Sequence, residues 1–99
     1  MVNIDLLERL RKLYRYSMED VGVYLGANSY RYYQYRLTKV ESFSIKDISM
    51  LSKLYGLTPN DLMIESNNLN PILIKSILKL KGYDYVLNNC LDKKGRVKE

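Results

Sequence analysis

Ser17-Met-Glu-Asp-Val-Gly-Val-Tyr-Leu-Gly-Ala-Asn-Ser-Tyr-Arg-Tyr-Tyr-Gln-Tyr-Arg-Leu37 predicts two short helices separated by a glycine-containing turn. Ser17 and Asp20 make a capping-box-like start, with Asp in place of the usual Glu, and Gly26 stops that helix after about two turns. Asn28 is placed to cap a helix that reaches about Leu37. The first helix needs a small residue where the second crosses it, and Gly22 supplies one. The turn needs a residue that tolerates positive φ, and Gly26 supplies that. Val21, Leu25, Ala27, Tyr32 and Tyr35 fall where inward-pointing groups are needed, which leaves Ser29, Tyr30, Tyr33 and Gln34 facing outward.

Outward from this stretch the chain continues to read as helix, and no segment alternates as a strand does. Asn3 caps a first helix with Leu6, Leu7, Leu10, Leu13 and Tyr14 at three- and four-residue spacing. Ser44-Ile-Lys-Asp47 repeats the capping pattern and opens a helix with Ile45, Ile48, Leu51, Leu54 and Tyr55 inside, closed by Gly56. Thr58-Pro-Asn-Asp61 repeats it again, with Leu62, Met63 and Ile64 completing a short fifth helix. Residues 66–70 read as a loop. Pro71 opens a sixth helix with Ile72, Leu73, Ile74, Ile77, Leu78 and Leu80 on a wide apolar face, and Gly82 ends it. A seventh short helix is expected from Tyr83 to Leu91, then a basic tail at 93–98. The fold class is all-α: residues 1–66 form one unit and 67–99 a helical extension that adds core or pairs two copies.

Composition narrows the function. The chain has 99 residues, 46% apolar and 27% charged, which suits a single globular domain. No apolar run is long enough to span a bilayer and the N-terminus lacks a signal peptide's apolar segment, so a cytoplasmic protein is expected. Histidine is absent and Cys90 is the lone cysteine, expected as a small packed residue. That inventory, with no metal-loop spacing, Gly-rich phosphate loop or nucleophile elbow, argues against an enzyme, a metal site or a cofactor.

The net charge of +5 is unevenly placed: residues 1–66 carry nine Lys/Arg against eight Asp/Glu, and 67–99 carry seven against three. Local placement says more than the total. Arg9, Arg11, Lys12 and Arg15 crowd the first helix and its exit, and Arg31, Arg36 and Lys39 lie in a stretch (28–40) that holds no acid. Cations grouped in this way suit phosphate contacts, or else a solvated helix face. Two helices meeting steeply through a glycine turn form a unit that reads DNA.

Residues 4–63 resemble the lambda-repressor/Cro-type helix-turn-helix family, also called XRE-like. The resemblance rests on Ser17 through Gly26 and on Ile45 through Met63, with Leu51-Ser-Lys-Leu-Tyr-Gly-Leu-Thr-Pro-Asn-Asp-Leu62 similar to the family's fourth-helix end and fifth-helix start. It implies a five-helix bundle whose third helix enters the major groove, as a homodimer on double-stranded DNA. Ser29, Tyr30 and Gln34 then occupy base-contacting positions, with Tyr33 beside them. Met18 sits where a phosphate contact is often made, and Arg11, Arg31, Arg36 and Lys39 are the expected phosphate partners. The chain departs from the family in its tyrosine-rich third helix and at Arg36, where a glutamate commonly pairs with a first-helix arginine. Arg11 and Arg36 are therefore expected to face each other as like charges.

The expected function is a sequence-specific transcriptional regulator, a repressor of the phage or mobile-element kind. The alternative is a protein-interaction module, antirepressor or antitoxin-like, that keeps the fold and binds a protein through its tyrosine-rich third helix. Single-stranded nucleic acid stacking on the tyrosines is a third class, and it leaves the helix-turn-helix spacing unexplained.

Overall fold

Asn3 opens helix α1 (Ile4–Leu13) by accepting the Leu6 N–H at 3.0 Å, and Leu6, Leu7 and Leu10 point into the core. In this computed structural model, residues 1–27, 29–63 and 69–89 are described. Among them the chain is all-helical, with α2 (Met18–Tyr24), α3 (Tyr30–Thr38), α4 (Ile45–Leu54), α5 (Asn70–Lys81) and α6 (Tyr83–Asn89) following α1. No helix among the described residues is long and apolar enough to cross a membrane.

The start signals act locally as their chemistry requires. Both bonds of the capping box form at α2, where the Ser17 N–H donates to Asp20 and the Asp20 N–H to Ser17, and both form again at Ser44/Asp47. The third pattern forms too, with the Thr58 N–H donating to the Asp61 carboxylate at 2.9 Å. It leads into a 3-10 turn, Asp61–Met63, rather than the short fifth α-helix expected. Ile64, the 66–68 part of the loop, Cys90, Leu91 and the tail at 93–98 lie outside the described residues. Asn28 does as well, and the observed cap of α3 is Ser29, one residue later than expected; its hydroxyl accepts the Arg31 N–H at 3.3 Å.

Helices α1 and α2 end in the same motif. After α2, the Ala27 N–H reaches back to the Gly22 carbonyl and Gly26 adopts φ +96°. After α1, the Tyr16 N–H reaches the Arg11 carbonyl, and the left-handed residue is Arg15, at φ +59°. A residue with a side chain pays about 1 kcal/mol or more for that conformation. Arg15→Gly is therefore expected to stabilise the fold by about 1 kcal/mol, raising Tm by roughly 4–8 °C for a domain this size. A thermal melt that stays put or moves down would refute it.

One cluster forms the core. Val2, the α1 leucines, Val21, Leu25, Tyr33, Phe43, Leu51 and Tyr55 belong to it, and Leu69, Ile72 and Leu73 bring α5 into the same cluster. A polar tie reinforces that seam. The Tyr14 hydroxyl meets the Ser76 hydroxyl and lies 2.9 Å from the Ser76 carbonyl and 3.2 Å from that of Tyr55. Lys75 adds a 2.7 Å ion pair to Asp61, whose carboxyl is held below the ordinary range by that lysine and by the Thr58 N–H. The buried Tyr55 hydroxyl finds no hydrogen-bond partner among the described residues, and burial pushes its pKa up.

On α1 and α4, two residues expected inside are outside. Ile45 is 87% exposed, although Ser52, seven residues on and at nearly the same angle, is buried. Ile45 is the first residue of the helix, and in the same turn it is Asp47, on another side, that is buried. Leu13, at the last position of α1, is exposed as well.

Candidate nucleic-acid interface

The α2–α3 unit is built on one close approach. A Cβ added at Gly22 would lie 2.4 Å from the Ser29 carbonyl oxygen and 3.1 Å from its carbon, so only glycine lets α3 start where it does. From that crossing α3 packs on the bundle through Tyr33, with Tyr32 and Leu37 half-buried beside it. Tyr30, Arg31, Gln34, Tyr35 and Thr38 are all exposed. At 100° per residue they occupy a continuous arc of about 140°. This is the presented face, and no carboxylate lies on α3.

Its register differs from the expected one. Tyr33, placed outward by the sequence pattern as a base contact, is completely buried. Its ring packs against Phe43 with centroids 6.4 Å apart, and its hydroxyl donates to Glu8 at 3.4 Å. Burial is the main cause that pushes its hydroxyl pKa well up, so it stays a donor. Tyr35, expected inside, is 51% exposed, and Tyr30 is 44% exposed. Tyr32 lies between these extremes, half-buried. The outward-facing set is therefore Tyr30, Arg31, Gln34 and Tyr35, with Thr38 one turn on. Ser29 stands at its edge, half-buried and engaged in capping.

The expected phosphate partners divide into two groups. Arg31 and Lys39 are exposed and make no ion pair among the described residues; the Lys39 ammonium lies 5.8 Å from the Tyr35 ring centroid. Arg11 and Arg36 are instead engaged within the protein, and they do not face each other unpaired. Arg11 grips Glu8 through two nitrogens, at 2.8 and 3.0 Å, and donates to the Tyr16 carbonyl at 2.9 Å. That bond to Glu8 raises its pKa further. The acid that neutralises Arg11 sits one turn earlier on its own helix. Met18 is half-buried against the core, and the two residues after it are carboxylates.

Arg36 belongs to a latch between α3 and α4. Its Nε donates to Asp47 at 2.7 Å while its guanidinium stacks 3.6 Å from the Tyr32 ring centroid. The Tyr32 hydroxyl donates to the other Asp47 oxygen at 3.0 Å, and the Ser44 N–H donates to Asp47 at 3.1 Å. The Asp47 side chain is only 2% exposed. Burial would raise its pKa, but Arg36, the Ser44 N–H and Tyr32 together hold it below the ordinary carboxylate value. Partial burial and the adjacent carboxylate push the Tyr32 hydroxyl up, which keeps it a donor. Ser44 and Asp47 were legible in the sequence as a helix cap, but the second use of Asp47 was not. The one available signal was the i, i+4 spacing of Tyr32 and Arg36.

Among the described residues no group of three or more metal-ligating side chains comes together. Comparison with protein-family models, with curated proteins and with solved structures finds no match.

Proposed function

We propose that the chain is a sequence-specific double-stranded DNA-binding regulator, a repressor of the phage or mobile-element kind, that reads the major groove with α3. The observation that supports this best is the exposed face of α3, which carries no carboxylate and whose start is set by a helix crossing that requires Gly22. Gln34 at its centre has the donor–acceptor pair that reads adenine through N6 and N7. Tyr30 and Tyr35 flank it with rings suited to thymine methyls and sugar edges. Arg31 and Lys39 neutralise phosphates. Two copies pair so that their α3 helices stand about one DNA turn apart, ~34 Å. The apolar side chains exposed on α5 and α6, Leu78, Leu80, Tyr83 and Leu87, provide the pairing surface.

The test is selection from a random-sequence duplex pool at moderate salt, with sequencing of the retained fraction. An enriched motif with two inverted half-sites is expected. Gln34→Ala should then relax preference at one base pair by about 1–3 kcal/mol, and the pair Arg31→Ala with Lys39→Ala should reduce the salt slope by about 2. Arg36 is left intact in both variants, because its loss would disturb the fold. A folded protein that retains no duplex overturns the reading and favours a protein partner for the same tyrosine-rich face.

A further inference from the structure

Helix α2 carries the opposite chemistry to α3. Residues 16–30 contain two carboxylates and no Lys or Arg, in a chain with 16 Lys/Arg. On one side of α2 a shallow, open concavity of about 240 Å3 is lined by Tyr16, Asp20, Val21, Tyr24 and Leu54. Asp20, Val21 and Tyr24 share a helix face, one turn apart, and Leu54 closes the concavity from the end of α4.

The polar and aromatic walls are held in place. The Tyr24 hydroxyl donates to the Met50 carbonyl at 2.8 Å, and the Tyr16 ring packs edge-on against Tyr14 with centroids 5.8 Å apart. One Asp20 oxygen accepts the Ser17 N–H at 2.8 Å. Its other oxygen has no partner among the described residues. Two aromatic rings, the half-buried Leu54 over a fully buried Val21, and a carboxylate with a free oxygen are complementary to a cation carried on an apolar stem. A phosphate would meet Glu19 and Asp20 here and be repelled.

The geometry points to a docking site on α2 for an arginine side chain presented by a partner protein. The guanidinium is weakly hydrated and stacks on aromatic faces, while its donors reach a carboxylate. The site is separate from the α3 face and does not depend on the chain binding DNA.

Titration of the full chain with N-acetyl-arginine amide, monitored by amide chemical shifts, tests it. Saturable shifts are expected at Val21, Tyr24 and Leu54, and the neutral isostere N-acetyl-citrulline amide should bind several-fold more weakly. Asp20→Asn keeps an acceptor for the Ser17 N–H and should weaken binding about two- to five-fold. Tyr24→Leu should weaken it by a similar factor, about two- to five-fold, whereas Tyr24→Phe keeps the ring and should retain it. The proposal is overturned if citrulline binds as well as arginine, if the shifts fall elsewhere, or if Asp20→Asn binds like the parent protein.

Discussion

Gly22→Ala is expected to destabilise the protein by about 3 kcal/mol, one methyl group acting through steric overlap alone. The added Cβ would stand 2.4 Å from the Ser29 carbonyl oxygen and 3.5 Å from the Tyr30 Cα, and these obstacles are backbone. No rotamer change relieves the clash. Either α2 and α3 separate or α3 starts elsewhere, and each movement draws Tyr33 away from Phe43 and Glu8. For a domain of this size the melting temperature should fall by roughly 12–24 °C. If the proposed DNA reading holds, the variant that still folds should also lose duplex affinity, because the face of α3 is then displaced. Urea denaturation of the two proteins checks the energy directly. An alanine variant within about 0.5 kcal/mol of the parent would mean that the crossing is looser than this geometry requires.

The second large effect is expected at Asp47. Asp47→Ala should cost about 3–5 kcal/mol, because it removes a buried ion-pair partner and a helix cap together. Arg36 would be left stacked on Tyr32 without its carboxylate, and the Ser44 N–H without its acceptor. Arg36→Ala and Asp47→Ala share one interaction, so their combined cost should fall short of the sum of the two. A double-mutant cycle that proves additive would mean that the two side chains do not act as a latch.

The pair also makes stability depend on acid. The Asp47 carboxyl is held below its ordinary value of 3.8 in the folded protein. Its contribution to stability is therefore fully present above the unfolded value and is lost as pH falls through the depressed folded value. In Arg36→Ala the largest of the groups that oppose burial is gone while the Ser44 N–H and Tyr32 remain, so the carboxyl moves upward and acid unfolding begins at a higher pH. Titration of the Asp47 side-chain carbon in both proteins reports the two shifts.

The latch explains why Arg36 is a poor choice of phosphate clamp although it lies in an acid-free stretch. Lack of an acid nearby in sequence does not mean lack of one in space; Asp47 is 11 residues away and reaches it from another helix. Arg11 shows the converse, since its partner Glu8 was one turn away in the sequence throughout.

Where α1, α2 and α4 begin was legible from residues alone, because capping residues act over three or four positions, whereas α3 starts one residue later than its sequence suggests. The pairs Ser17/Asp20 and Ser44/Asp47, the turn at Gly26 and the need for a small residue at Gly22 are of this local kind. Thr58/Asp61 marks the limit: the local bonds form, yet the chain beyond them turns as a 3-10 helix. How α3 is rotated about its axis was not legible. Its tyrosines at 30, 32, 33 and 35 point in four directions, so hydrophobicity offers no way to choose which ring goes inside. Packing chose Tyr33, because Phe43 and Glu8, on other elements, together accommodate its ring and hydroxyl. The ion partner of Arg36 and the exposure of Ile45 were settled in the same way, by where the bundle places α4. Local chemistry names the helices; only their mutual packing determines which side of each one meets a partner.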